Sequence, residues 1–187
     1  MMDVLAALRD RVSVSRLTDP APEGEAREQI FSAALRAPDH GRLTPWRFLV
    51  VEGDARARLG EAMEQAMRSV KPDLTDAEAS KLRSNPMRAP LLVVLVTHLQ
   101  DHPKVPEIEQ HMSLACATQN MLLAAHALGF GAIWRTGPVT FVPALREQLG
   151  LAPNECIQGF LYIGTPAIEQ PRPQTPAVAD HFLPWSG

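Results

Sequence analysis

Three arginine-bearing segments, far apart in the chain, carry side chains that could assemble an anion site. They are Arg11-Val12-Ser13-Val14-Ser15-Arg16, Arg36-Ala37-Pro38-Asp39-His40 and Gly129-Phe130-Gly131-Ala132-Ile133-Trp134-Arg135-Thr136. Guanidinium forks and hydroxyls are the donors that a phosphate needs. The formal net charge is −3, so these arginines are not samples of a generally basic surface. Brought together by folding, they would form a cationic pocket with hydroxyl donors and an aromatic neighbour. That set suits an anionic, planar cofactor such as flavin mononucleotide (FMN).

Each segment also has a plainer reading. In extended form, the first puts Arg11, Ser13 and Ser15 on one side and Arg16 on the other; it is equally a solvated turn after a helix. In the second, Arg36 either complements a helix C-terminus or, with His40 beside it, lines the pocket. The third lacks the third glycine of a dinucleotide fingerprint and follows a helix, whereas that fingerprint must follow a strand. It therefore reads as a helix cap and a tight turn into a strand. Trp134-Arg135-Thr136 then sits at a strand end, where ligands collect in α/β sheets.

Other candidate chemistry is thin. His98, His102 and His111 have no carboxylate or cysteine at ligand spacing, so they read as solvated loop histidines and no metal is expected. Cys116 and Cys156 read as inert core thiols. There is no Gly-x-Ser-x-Gly elbow, no P-loop and no recognisable Ser-His-Asp set.

The elements that must carry these residues follow from periodicity. A short helix spans Met2 to Arg9, and a second runs from about Glu23 to Arg36, stopped by Pro38. Trp46 to Val51 is a strand, and Gly53-Asp54 turns the chain into a helix from Ala55 to Val70. Residues 71–86 are polar and helix-tolerant and read as a mobile excursion. The unbroken apolar run from Pro90 to Thr97 is a strand covered on both faces. Glu107 to Leu128 is a long helix, apolar over more than one stripe and therefore central. Ala132 to Arg135 begins another strand, Phe141 to Leu149 is a short helix closed by Gly150, and Cys156 to Gly164 is a last buried strand. Helices thus surround a sheet of four or five strands. The remainder, residues 165–187, holds prolines at 166, 171, 173, 176 and 184. It ends in the apolar cluster Phe182-Leu183-Pro184-Trp185, which needs a cover.

Composition bounds the class. The chain has 187 residues, 45% apolar and 21% charged, enough for one domain, 1–187, with a substantial core. A pI near 6.1 argues against a nucleic-acid or acidic-membrane partner. Two cysteines are too few for a disulfide framework and point to a reducing, cytoplasmic setting. No signal-peptide core or membrane segment is read.

Taken together, the three segments resemble the nitroreductase family of flavin enzymes, in particular its small bacterial branch. The likeness extends to Pro45-Trp46-Arg47-Phe48, Arg88-Ala89-Pro90, His102-Pro103-Lys104-Val105-Pro106 and Gly159-Phe160-Leu161-Tyr162-Ile163-Gly164-Thr165-Pro166. The resemblance implies an α+β, nitroreductase-like fold: a central, mostly antiparallel sheet of four to five strands flanked by helices. It implies an intertwined homodimer whose C-terminal arm, residues 165–187, is exchanged with the partner subunit, and FMN sites where the subunits meet. Matched by position, FMN contacts fall to Arg11, Val12, Ser13, Arg36, His40, Trp134, Arg135 and Thr136. Ala124, Ala125, His126, Ala127, Leu128 and Gly129 fall where that branch meets NADH or NADPH as co-substrate. The implied activity moves hydride from NAD(P)H via the flavin to an electron-poor small-molecule acceptor, a nitro compound or quinone. No side chain acts as catalytic acid or base. Two departures stand out. Val12 replaces a common arginine, and Gly41-Arg42-Leu43-Thr44-Pro45 replaces an Asn-x-Gln-Pro pattern. They leave two alternatives open: an FMN-binding or storage module without efficient turnover, and a pocket for another phosphorylated ligand.

Overall fold

The structure, a computed structural model, describes residues 3–168, 170–172 and 174–186. The expected helix start at Met2 and the tail proline Pro173 lie outside these. Helices α1 (Val4–Asp10), α2 (Gly24–Ala34), α3 (Ala55–Val70), α4 (Asp76–Ser84), α5 (Glu107–Ala127) and α6 (Pro143–Gln148) are interspersed with strands, α3 and α4 being consecutive. The strands are β1 (Leu17–Thr18), β2 (Trp46–Glu52), β3 (Leu91–His98), β4 (Gly131–Arg135) and β5 (Glu155–Pro166). All strand pairings are antiparallel, as expected for an α+β sheet.

β5 is the spine. Leu161 is the partner of Val93 on β3 and also of Trp134 on β4, so these strands flank β5 on opposite edges. β2 extends the sheet beyond β3, and the two-residue β1 meets Thr165 and Pro166 at the end of β5. Period-two alternation then sorts the side chains. Leu91, Val93, Leu95, Leu161 and Ile163 face one layer, where Ile30 of α2 and Leu114, Ala117 and Met121 of α5 cover them. Leu92, Val94, Val96, Phe160 and Tyr162 face the other, under Leu59 and Met63 of α3 and Leu145 of α6. Both faces being covered explains the unbroken apolar run in β3. Each such side chain contributes roughly 1.5–3 kcal/mol on full burial. A half-exposed ion pair such as Arg27–Glu52 contributes about 1 kcal/mol at most, so the core decides the fold.

Residues 71–86, read from sequence as a mobile excursion, instead contain α4. The reason is local. Thr75 and Glu78 form a reciprocal capping box, and Lys71 pairs with Glu78 at 2.6 Å. Glu64 of α3 is held by Arg83 and by Arg68, so polar side chains tie α4 to α3. A Cβ on Gly60 would lie 2.3 Å from the Arg83 carbonyl oxygen, which shows how closely the two helices approach. Two further expectations are corrected. Cys116 sits on α5 but faces outward, because the buried stripe runs through Ser113, Leu114, Ala117 and Thr118. His111 lies within α5 rather than in a loop, and hydrogen-bonds Thr97 at 3.0 Å. Among the described residues, no helix is long and apolar enough to cross a membrane.

The hydrogen bond from Lys71, then the two from Thr75, hold the Glu78 carboxyl down from 4.5 to about 2. A carboxyl depressed on folding stabilises the native state above its unfolded value, and that contribution is lost as pH falls through the folded one. The urea midpoint should therefore drop between pH 4.5 and 2. Glu78→Gln should flatten that part of the profile and lower the midpoint at neutral pH.

Candidate functional site

The first and third arginine segments come together; the second does not join them within one chain. Val14 donates its backbone N–H to the Ala132 carbonyl at 3.0 Å, which lays the Arg11–Arg16 segment along β4. Val14 points inward, as does Leu17 just after the segment, while Ser13, Ser15 and Arg16 are exposed. The simple two-sided alternation therefore breaks after Ser15, because Leu17 must enter β1. Arg16 and Arg135 share the wall of one hollow with Arg88 and Met87. Arg135 is the partner of Phe160 and projects toward the α3 layer, whereas Trp134, paired with Leu161, packs in the α5 layer. Thr136 is exposed at the end of β4.

Trp134 is fixed by two features. Its indole N–H donates to the Gln158 carbonyl at 3.2 Å. It also packs on Gly159, where φ is +137° and a Cβ would fall 2.5 Å from the indole nitrogen. This glycine stands beside the register shift between Leu95 and Val96, so one residue admits both the bulge and the indole.

Arg36 and His40 belong to the α2–α5 layer. Arg36 is exposed just beyond α2, and the His40 ring meets Glu109 of α5 at 2.5 Å. The loop that follows is strained: Arg42 and Thr44 both adopt positive φ, at 56° and 46°. Such backbone costs of order 1–3 kcal/mol per residue unless held. Asp39 holds it, its carboxylate accepting from the N–H groups of Leu43 at 3.1 Å and Thr44 at 2.7 Å. This loop is the Gly41–Pro45 stretch that departs from the Asn-x-Gln-Pro pattern.

Segment 124–129 divides. Ala125 is fully buried in the core and offers a ligand no side chain. Ala124 is half-buried against that core. Ala127, Leu128 and Gly129 are exposed at the end of α5. His126 and Gly129 line a hollow of about 1140 Å³ with Val12, Val14, Phe130 and Ile168.

Three enclosed side-chain nitrogens lack a partner among the described residues, one of them Arg146 Nε on α6, away from the segments above; the other two test whether a ligand fits. Arg11 Nη1 and His126 Nε2 are both enclosed with no hydrogen-bond partner among the described residues. A buried polar group without a partner costs about 1–3 kcal/mol, more when charged. An anion is the complement of an enclosed guanidinium, so the residues present fit a phosphorylated cofactor. Sequence reasoning passed over Arg88 and Tyr162, which face Arg135 from the same side of the sheet. The signal was present: Arg135 pairs with Phe160, and Tyr162 is two residues on along β5.

Comparison with known proteins bears on family and fold. Residues 8–165 match the Nitroreductase family. Two bacterial proteins named "Putative NAD(P)H nitroreductase" are similar over nearly their whole length. One, YdjA of Escherichia coli K12, is 44% identical over 90% of this chain and 91% of its own. The other, from Haemophilus influenzae, is 38% identical over 88% and 89%. Among solved structures, a nitroreductase-like family protein from Bacillus cereus superposes with a TM-score of 0.84 at 21% identity, covering 100% of this chain and 98% of that one. A "putative nitroreductase in complex with FMN" from Desulfovibrio desulfuricans superposes with a TM-score of 0.71 at 29% identity, covering 99% and 98%.

The packing of Trp134 on Gly159 predicts that Gly159→Ala lowers stability by at least about 2 kcal/mol, from clash and positive φ combined. Urea denaturation would measure this.

Proposed function

The chain belongs to the nitroreductase family, and we propose that it is an FMN-dependent oxidoreductase using NADH or NADPH as electron donor. The observation that carries the reading is the enclosed, unpartnered Arg11 Nη1 on a segment hydrogen-bonded to the β4 strand of Trp134 and Arg135. The relative from Desulfovibrio desulfuricans described in complex with FMN supports the choice of anion.

The chemistry that FMN supplies when bound is acceptance of hydride from NAD(P)H and two-electron delivery to an electron-poor small molecule, of nitro or quinone type. The chain's own residues bind and orient. Arg11 answers the negative charge, and Ser13 presents an exposed hydroxyl. Val12 contributes only its backbone. Trp134 holds its fixed orientation through Gln158, while Arg135 and Thr136 close the end of β4. A guanidinium near the ring's pyrimidine end, from Arg135 or Arg36, favours its reduced anionic form. No side chain serves as a proton relay, since water can protonate the products.

Arg36 and His40 reach the same ligand from a second copy of the chain. The surface suits that assembly. Val4, Leu5 and Leu8 of α1 and Ile108 and Met112 of α5 are exposed, as are Phe182, Leu183 and Trp185 in the tail, Trp185 at 92%. Apolar surface on this scale marks an association face. We place the nicotinamide nucleotide at His126 to Gly129, where the large hollow opens. A cytoplasmic location suits a reduced nicotinamide donor.

A second reading, flavin binding without efficient turnover, draws on the strained Gly41–Pro45 loop. Anaerobic bleaching of the yellow protein by NADH or NADPH separates the two, and retention of colour favours the second. The purified protein is expected to be yellow. The Arg11→Ala, Arg36→Ala double variant should be colourless yet show an unchanged circular dichroism spectrum; full flavin retention in it refutes the assignment. Sedimentation at micromolar concentration should give a dimer, and removal of residues 170–187 should shift it toward monomer.

A further inference from the structure

α3, α4 and the segment after β4 enclose a hollow of about 610 Å³, large enough for a two-ring molecule. Its walls are apolar: Met63 and Met67 on α3, Leu82 on α4 and Leu74 before it. Methionine thioethers adapt to flat ligands of varied outline. The polar lining is lopsided. Lys71, Lys81, Arg88 and Arg135 stand against a single carboxylate, Glu78, and Lys71 is already paired with Glu78. Lys81, Arg88 and Arg135 have no ion-pair partner among the described residues.

Tyr162 gives the hollow a floor. It is 3% exposed, lines the hollow, and its hydroxyl makes no hydrogen bond among the described residues. Burial raises its phenol pKa, and the nearby charges of Arg135 and Arg88 act against that rise. Both guanidiniums therefore lie near one hydroxyl that opens into the hollow and has no acceptor among the described residues. Cations gathered around one hollow repel one another, and a carboxylate there would answer them and accept from the hydroxyl. An inorganic anion would satisfy the charge and leave the methionine wall wet. A neutral ring would do the reverse.

We propose that this hollow binds a flat apolar molecule bearing one carboxylate. The carboxylate takes bonds from Arg88, Arg135 and the Tyr162 hydroxyl, and the apolar body lies on Met63 and Met67. Arg135 and Thr136 also belong to the proposed FMN set, so the ligand lies beside the flavin. Reading it as the electron acceptor rests on the function proposed above; its binding does not.

The test is titration calorimetry on the protein as purified, with 2-naphthoate and its neutral analogue 2-naphthamide, while free flavin is measured in the filtrate. The naphthoate should bind one per chain, about 10-fold or more tighter than the amide, and release no flavin. Arg88→Gln should weaken naphthoate about 10-fold and Tyr162→Phe about 5-fold, with amide binding unchanged in both. Equal affinity for the two compounds overturns the proposal. So does no naphthoate binding at millimolar concentration, unaltered affinity in both folded variants, or displacement of flavin, which would make the hollow the cofactor's own seat. A colourless protein that still binds naphthoate selectively would sink the FMN reading and leave this one standing.

Discussion

Everything in this molecule is registered against β5. Its two edges are taken by β3 and β4 over the same residues, and its two faces are buried under different helix layers. A one-residue slip would reverse every side chain between those layers. Such a slip would drive Phe160 and Tyr162 into the α5 layer and turn Leu161 and Ile163 toward the methionines of α3. The apolar cost of that exchange fixes the register, and the register fixes where the polar groups emerge. Arg135 reaches the α3 side because its partner is Phe160, and Trp134 reaches the α5 side because its partner is Leu161. The functional placement is thus a by-product of core packing.

Polar groups that the fold does not satisfy are the other half of the account. At the start of β5, Glu155 is 3% exposed yet fully employed. It accepts from Arg47 at 2.7 Å and from the Ala152 N–H at 2.8 Å, with His98 nearby. That cluster is complete and structural. Elsewhere three enclosed nitrogens have no partner among the described residues: Arg11 Nη1 and His126 Nε2 near β4 and the tip of α5, and Arg146 Nε on α6. Native interiors rarely leave such groups unmade.

The sequence disclosed the core elements because period-two and period-3.6 patterns are strong when both faces are covered. β3 and α5 were plain from Leu91 to Val96 and from Leu114 to Leu128. α4 escaped because its stability lies in a capping box and in cross-helix ion pairs, which depend on partners such as Glu64 rather than on apolar spacing. β1 escaped because two residues carry no period. Of the candidate site, the joining of Arg16 with Arg135 followed from two segments that were named from the start. Arg36 and His40 could not be placed with them, since a single chain puts them in different layers, a fact about three dimensions that spacing does not encode. Tyr162 hid inside an apolar run, where its hydroxyl is invisible until the facing arginines are known.

The tail carries a consequence for the energetics of the whole. Phe182 and Leu183 are 78% and 77% exposed on an isolated chain, and water is a poor neighbour for both. Any copy or surface that shields them adds its binding free energy to the folding equilibrium by mass action. Were a second copy the cover, the melting temperature would depend on protein concentration, each tenfold dilution withdrawing up to about 1.4 kcal/mol per dimer.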